Sequence, residues 1–147
     1  MTRTGGPDRN RPAPCTCDSG VAWDDCCGAL LAGSRSASTA EQLMRSRYSA
    51  FVVGDADYLL DTWHPATRPD RIDLDDRLRW TGLRILATEA GGAEDARGIV
   101  EFAADHVLTT PDGGEQAGTL HETSRFSRQS GRWLYVRGRL HDEGALG

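Results

Sequence analysis

Four cysteines lie close together near the start of the chain, and they restrict its fold more than any other feature. The sequence reads Cys15-Thr-Cys17, then eight further residues, then Cys26-Cys27. Four thiolates in two close pairs suit one tetrahedral zinc ion. The chain needs to turn back only once, at Gly20, to bring the two pairs together. We therefore predict that Cys15, Cys17, Cys26 and Cys27 bind zinc.

Two other uses of these cysteines remain open. A disulfide interpretation must join the two pairs crosswise, because a bond within either pair closes a strained ring. It also requires an oxidising compartment, whereas residues 1–14 contain no apolar segment of a secretory signal. We expect a cytoplasmic protein, and structural disulfides are rare there. A redox-catalytic site would favour Cys-x-x-Cys at a helix start, which the sequence lacks. Disulfides and unliganded thiols are thus the alternatives to zinc.

Composition restricts the class of protein. A chain of 147 residues with 38% hydrophobic residues can form one ordinary domain with a small appendage. Its apolar runs are far shorter than the roughly 20 residues of a membrane span. The formal net charge of −5 argues against general binding of polyanions. Five arginines lie between residues 125 and 139 without an acidic residue. We interpret them as a solvated face of a sheet, and binding of nucleic acid by this run as the less favoured alternative.

The pattern after the cysteines predicts two helices. Thr39 and Gln42 have the spacing of a capping box, and apolar residues follow at helical intervals until Gly54. Asp55 can cap a second, shorter helix, which His64-Pro65 ends.

From residue 80 the apolar period changes to that of strands. We predict strands over about 80–89, 97–109, 117–129 and 132–140, separated by glycine-containing turns that favour hairpins. Helices followed by a meander of long strands indicate an α+β fold, in which a curved antiparallel sheet wraps around the helices.

The cysteine segment resembles the SEC-C motif, a zinc-binding element of many bacterial proteins that is usually written Cys-Pro-Cys-Gly-Ser-Gly followed by a Cys-Cys or Cys-His pair. The order and spacing match. This chain differs by having Thr16 in place of the proline and Asp18 in place of the first glycine.

Later segments resemble the YchJ-like family of uncharacterised bacterial proteins. These segments are Leu43–Phe51, Gly54–Tyr58, Thr62–Pro65, His121–Phe126 and Gly131–Tyr135. The resemblance implies a SEC-C motif joined to a nuclear-transport-factor-2-like, or SnoaL-like, cone of helices cupped in a sheet. Some members carry a second cysteine motif at the C-terminus, which the sequence here does not contain. We expect a disordered leader over 1–14, the SEC-C-like zinc module over 15–28, a connector over 29–38, the cone domain over 39–141 and a tail over 142–147.

Polar residues of the cone are candidates for a small-molecule site. A wide set comprises Arg45, Arg47, Tyr48, Trp63, His64, Glu101, His106, His121, Glu122 and Arg125. From this set we select as pocket candidates Tyr48, Trp63, His106, His121, Glu122 and Arg125. Strand parity places His106 on the more apolar face of its strand, and it places His121 and Glu122 on opposite faces. We also expect Arg125 to pair with an acidic residue inside the cone.

Function is less restricted than fold, because cone folds serve both as enzymes and as scaffolds. We favour a non-enzymatic cytoplasmic adaptor whose zinc module contacts another protein. The first alternative is a SnoaL-like domain that binds or converts a small molecule. The second is association with nucleic acid or the ribosome. An open cavity with polar groups facing inward would favour the first alternative over the adaptor.

Overall fold

The computed structural model describes residues 13–141. The predicted leader, apart from its last two residues, and the predicted tail lie outside this range. The described elements are a 3₁₀ turn at Trp23–Asp25, then α1 (Cys27–Leu31), α2 (Ala40–Val53), α3 (Ala56–Asp61), β1 (Leu78–Ala90), β2 (Arg97–Thr109), β3 (Glu115–Gln129) and β4 (Arg132–Leu140). No helix in residues 13–141 is both long enough and apolar enough to cross a bilayer.

Both predicted helices begin where the sequence indicated, and α2 ends there too, whereas α3 ends at Asp61, three residues before the predicted stop at His64-Pro65. The Thr39 side chain accepts a hydrogen bond from the Gln42 backbone at the start of α2, and Gly54 ends that helix with a φ of 81°. This left-handed conformation is one that glycine adopts without strain. The Asp55 side chain caps α3 through the Tyr58 backbone N–H. The short helix α1 was not predicted, because its five residues show no apolar period.

The four strands form one antiparallel sheet in the order β1-β2-β3-β4. The predicted α+β fold is thus confirmed, with strand ends within about two residues of those expected. Two irregularities interrupt the pairing of β1 with β2, and one interrupts that of β3 with β4. Such bulges increase bend and twist, so the sheet curves around α2.

The core lies between α2 and the concave face of the sheet. Its buried members include Leu43, Val100, Phe126 and Trp133, each at most 2% exposed. Glycines allow α2 to approach closely: a Cβ at Gly98 would lie only 2.9 Å from the Cβ of Ala40. The end of α3 is fixed to β4, because Tyr135 donates its backbone N–H to Thr62 and accepts one from His64. This connection brings the Trp63 ring edge-on against the ring of Tyr135, with ring centres 4.9 Å apart.

Candidate metal centre and cone cavity

The cysteine module begins as a small hairpin. Cys15 donates its backbone N–H to Val21, and Trp23 donates to Ala13, so the chain returns on itself as predicted. Pro14, assigned to the leader by sequence, forms an antiparallel bridge with Ala22 and therefore belongs to this hairpin.

The four thiols meet at one point. Their sulfur atoms all lie within 4.8 Å of one another, and the sulfurs of Cys17 and Cys26 are 3.7 Å apart. A disulfide bond is about 2.05 Å long, and all four cysteines are free. Tetrahedral zinc with bonds of about 2.3 Å places its sulfurs about 3.8 Å apart. The spacing therefore fits a tetrahedral metal site.

Proton sharing among the thiols also suits a metal ligand set. A hydrogen bond from Cys27 is the main cause that lowers the pKa of the Cys17 thiol to about 4. The same bond, followed by burial, raises the pKa of Cys27. Burial raises the pKa of Cys26 as well. The cluster thus favours ionisation of Cys17 over that of Cys26 and Cys27.

The surroundings of the cysteines favour negative charge at their centre. Arg45 donates one hydrogen bond to the Cys17 carbonyl at 2.8 Å and lies 3.9 Å from its sulfur. The Ser19 hydroxyl is 3.3 Å from the Cys26 sulfur. Such outer contacts orient ligands and partly offset the charge of a tetrathiolate.

The module packs tightly on the cone, although the sequence suggested a small appendage to the main domain. Cys15, Cys17 and Cys27 are at most 4% exposed and belong to the same buried cluster as Met44 and Tyr48. The cysteines are therefore part of the cone's own core.

The two departures from the SEC-C pattern take part in this packing. Thr16 donates a hydrogen bond to Ser49 of α2 at 2.8 Å. Asp18 accepts one from the Leu83 backbone of β1 at 3.0 Å. Asp18 has a φ of 63°, a left-handed conformation that Asp tolerates better than most residues. Both side chains thus fix the module to the cone.

A cavity of about 150 Å³ opens within the cone. Its walls are mostly aromatic and aliphatic, and a few polar groups face inward. The lining residues are Met44, Arg47, Tyr48, Phe51, Trp63, Trp80, Phe102, Ala104, Leu120, Glu122, Ser124 and Tyr135.

Arg47 supplies the positive charge of this cavity. Its side chain is buried, and one terminal nitrogen, Nη1, donates to the Leu59 carbonyl at 2.8 Å and to Thr62 Oγ1 at 2.7 Å. The guanidinium carbon lies 5.1 Å from the centre of the Trp63 ring and 4.4 Å from that of Tyr135. Burial lowers the pKa of Arg47 to about 10. Within residues 13–141, no carboxylate forms an ion pair with it.

Glu122 supplies the acidic group. It accepts a hydrogen bond of 2.6 Å from Ser124, which is fully buried. Burial, followed by the Glu122 charge, raises the pKa of the Tyr135 phenol to about 12, so the phenol remains protonated. Trp63 has a buried indole Nε1 that finds no acceptor in the described part of the chain. The residues that line the cavity thus include a guanidinium, a carboxylate and a phenol.

The pocket candidates divide between two places. Tyr48, Trp63 and Glu122 line the cavity, whereas His106 and His121 lie beside a separate surface groove. Strand parity correctly placed Glu122 and His121 on opposite faces. The Nδ1 atom of His106 is buried without a partner among the described residues, and its ring packs edge-on against Trp80.

The expected interior position of Arg125 is wrong. Its side chain is exposed on the outer face of β3, opposite Arg137, because its parity is that of His121 rather than that of Glu122. The buried arginine is Arg47, which belonged only to the wider candidate set. The sequence does contain a signal for the burial of Arg47. This residue lies three positions after Met44 and four before Phe51, which places it on the apolar face of α2.

Comparison with known proteins agrees with this architecture. The family described as YchJ, middle NTF2-like domain, matches residues 39–138. A UPF0225 protein of Streptomyces coelicolor is 50% identical over 129 residues, covering 88% of this chain and 97% of that protein. One from Chromobacterium violaceum is 48% identical over 130 residues, covering 86% and 92%.

Two solved structures of SEC-C motif containing proteins have folds similar to that of this chain. The solution structure of a SEC-C motif containing protein from Rhodopseudomonas palustris has a TM-score of 0.73 and 39% identity, over 88% of this chain and 99% of that one. The crystal structure of a SEC-C motif containing protein from Psychrobacter arcticus has a TM-score of 0.63 and 28% identity, over 90% and 84%. The chain therefore belongs to the YchJ-like UPF0225 family, in which a SEC-C motif accompanies an NTF2-like domain.

Proposed function

We propose that this protein binds a small organic acid in its cone, and that zinc in the cysteine site holds the SEC-C module onto the cone as a structural clamp. The observation that carries the proposal is the charge of Arg47, which is buried in an apolar cavity without a carboxylate partner in the described chain.

A buried charge without a counter-ion is costly, and proteins usually pair such groups. Glu122 lines the same cavity and its charge acts on Arg47 from a distance, but its carboxylate is bonded to Ser124 and forms no direct ion pair with the guanidinium in the described chain. Two aromatic faces and two neutral oxygens satisfy the guanidinium only in part. A ligand carboxylate would supply the missing negative charge and hydrogen-bond acceptors of Arg47, since the planar guanidinium matches a carboxylate in geometry and charge.

The cavity also restricts the body of the ligand. An apolar cavity of about 150 Å³ is large enough to hold benzene, so the space found here suits one ring or a short branched chain. A hydroxyl or ammonium group on that body would be complementary to Glu122. We therefore infer a small aromatic or branched carboxylic acid as the class of ligand.

Zinc is the metal that best suits the cysteine site. Four thiolates form the closed, water-free coordination typical of structural zinc. Since three of the cysteines are buried against the cone, the ion would connect the hairpin, α1 and the core. This role is structural, and we place the protein in the cytoplasm, where thiols stay reduced.

The test is calorimetric titration with a carboxylate and its uncharged amide, for example benzoate and benzamide. The proposal expects saturable binding of the acid, at least tenfold weaker binding of the amide, and loss of this preference in Arg47→Met. Arg139→Met, which changes an exposed arginine, is the matched control and should bind as the unchanged protein does. Equal binding of acid and amide, or no binding across a panel of small acids, would contradict the proposal.

The adaptor role predicted from sequence stays a prediction. The module's buried packing leaves Val21, 44% exposed, as an apolar group available to a partner. An enzymatic use of the cavity requires a reacting group beside the ligand. Glu122 and Tyr135 line the cavity and would be the candidates for proton transfer. For nucleic acid, Arg132 forms an ion pair with Asp61, which leaves one fewer free charge in the basic run. Arg128 donates only to the backbone carbonyl of Asp95 and keeps its charge.

A further inference from the structure

A second set of metal-binding side chains lies on the outer face of the sheet, away from both the cysteines and the cavity. Glu101 of β2, His121 of β3 and His141 just after β4 each offer one donor atom, and the three atoms lie within 4.8 Å of one another. We propose that these residues form a second site for a divalent transition metal ion of the zinc type. This inference does not rest on the proposed function of the cone.

Strand pairing brings the three residues together. His141 donates its backbone N–H to the His121 carbonyl at 2.8 Å, so the two histidines are direct neighbours across the β3–β4 pair. Glu101 pairs with Thr123, two residues along β3 from His121. Residues two apart on a strand share a face, so Glu101 approaches His121 diagonally. Three adjacent backbone segments therefore supply the ligands.

Binding one ion requires one of the two stacked histidine rings to rotate, because parallel rings direct their nitrogen lone pairs in parallel. His121 Nε2 and Glu101 Oε2 are 2.6 Å apart, and the rings of His121 and His141 stack with centres 3.9 Å apart and planes 6° from parallel. Bonds of about 2.0–2.2 Å to a tetrahedral ion place ligand atoms about 3.4 Å apart. The pair formed by Glu101 and His121 must therefore open from 2.6 Å to this spacing, through side-chain rotation.

The surroundings favour a site over a solvated ion pair. The His121 side chain is only 16% exposed and that of Glu101 32%. Thr123 Oγ1 lies 2.7 Å from His141 Nε2, and by accepting its proton it would leave Nδ1 free for the metal. A simple ion pair accounts for the contact between Glu101 and His121. It does not account for the ring of His141, which stacks on that of His121.

The ligand set of two histidines and one glutamate specifies the type of ion. Imidazole and carboxylate suit zinc and neighbouring divalent ions, and three protein ligands leave a fourth position for water or a ligand atom. The site would thus be open, unlike the closed set of four thiolates at the cysteine site. Removal of this metal should leave the cysteine site loaded.

The test is calorimetric titration of Zn²⁺ into tag-free protein that already carries one zinc per chain. The proposal expects one further equivalent to bind, and expects His121→Ala and His141→Ala each to weaken that step at least tenfold. Thr123→Val should weaken it roughly tenfold, since it removes only the orienting contact. His64→Asn is the control: it changes a histidine outside the cluster, keeps an acceptor for the Ala66 N–H, and should bind as the unchanged protein does.

Cobalt provides a second readout that does not depend on affinity. Co²⁺ added to zinc-loaded protein should give weak ligand-field bands without thiolate charge-transfer absorption, and these bands should vanish in His141→Ala. Because His141 follows the last strand, this variant is expected to keep its thermal midpoint. Absence of a second equivalent, or a second equivalent unchanged in both His121→Ala and His141→Ala, would overturn the proposal.

Discussion

The substitution Arg47→Met distinguishes an arginine kept for ligand binding from one kept for stability. Burial lowers the pKa of Arg47 from 12.5 to about 10. At 1.36 kcal/mol per pH unit, the folded protein thus disfavours the charged form by about 3 kcal/mol. Because a base with a lowered pKa is destabilising while protonated, this cost is present at neutral pH. It disappears only as the pH rises from about 10 towards 12.5.

Methionine removes this cost and also removes favourable contacts. The hydrogen bonds to Leu59 and Thr62 contribute about 1 kcal/mol each. The cation–π contacts with Trp63 and Tyr135 contribute about 1 kcal/mol or more in total. Methionine has a similar length and can pack against the same rings. The two sides nearly cancel, so the free energy of unfolding should change by less than about 1.5 kcal/mol.

The assay is urea unfolding of both proteins at neutral pH, monitored by tryptophan fluorescence and repeated with saturating organic acid. The unchanged protein should gain stability from the acid, and Arg47→Met should gain none. A loss of about 3–5 kcal/mol in the variant would indicate a buried ion pair left uncompensated. That result would refute the view that Arg47 lacks a partner in the folded protein.

Three further predictions follow from the packing. Cys17→Ser should lose the bound metal and also lower the thermal midpoint of the cone, because Cys17 is fully buried in the shared core. Metal analysis and calorimetry would measure the two effects, and an unchanged thermal midpoint would contradict a structural role of the metal site. The pKa values of all three tyrosines are raised, those of Tyr48 and Tyr135 to about 12. Native protein at pH 10 should therefore show little phenolate absorbance, and the tyrosines should lower the stability between pH 10 and 12 against the smaller, opposite contribution of Arg47; half-ionisation near pH 10 would exclude this burial. Gly98→Ala should cost about 1–3 kcal/mol in urea unfolding, since its Cβ would lie 2.5 Å from Gly91 Cα and 2.9 Å from the Cβ of Ala40 in α2; a neutral effect would contradict this close approach.

Local signals made most of the fold predictable. Caps at Thr39 and Asp55 and the left-handed Gly54 determine the helix ends through short-range hydrogen bonds, which a sequence shows directly. Glycine-containing turns and period-two alternation determine the strands in the same way. The cysteine spacing likewise indicated the meeting of the four thiols.

The remaining features depend on contacts between distant segments. Nothing near Asp18 in the sequence indicates that its carboxylate will accept a hydrogen bond from the Leu83 backbone of β1. This contact helps to hold the expected appendage against the core of the cone. The buried arginine was predicted to be Arg125, because it lies in the His121–Phe126 motif, but it is Arg47. Helical spacing had already placed Arg47 on the apolar face of α2. His141 joins His121 only through pairing beyond the end of β4.

The central claim, a cone that binds an organic acid through Arg47, is tested most directly by nuclear magnetic resonance of the arginine side chains. The Nε–H signal of Arg47 can be assigned by its absence from the spectrum of Arg47→Met. We expect a saturable shift of this signal when benzoate or a related small acid is added, and little shift with the amide. A signal that stays in place while other resonances of the protein respond to the acid would contradict the claim.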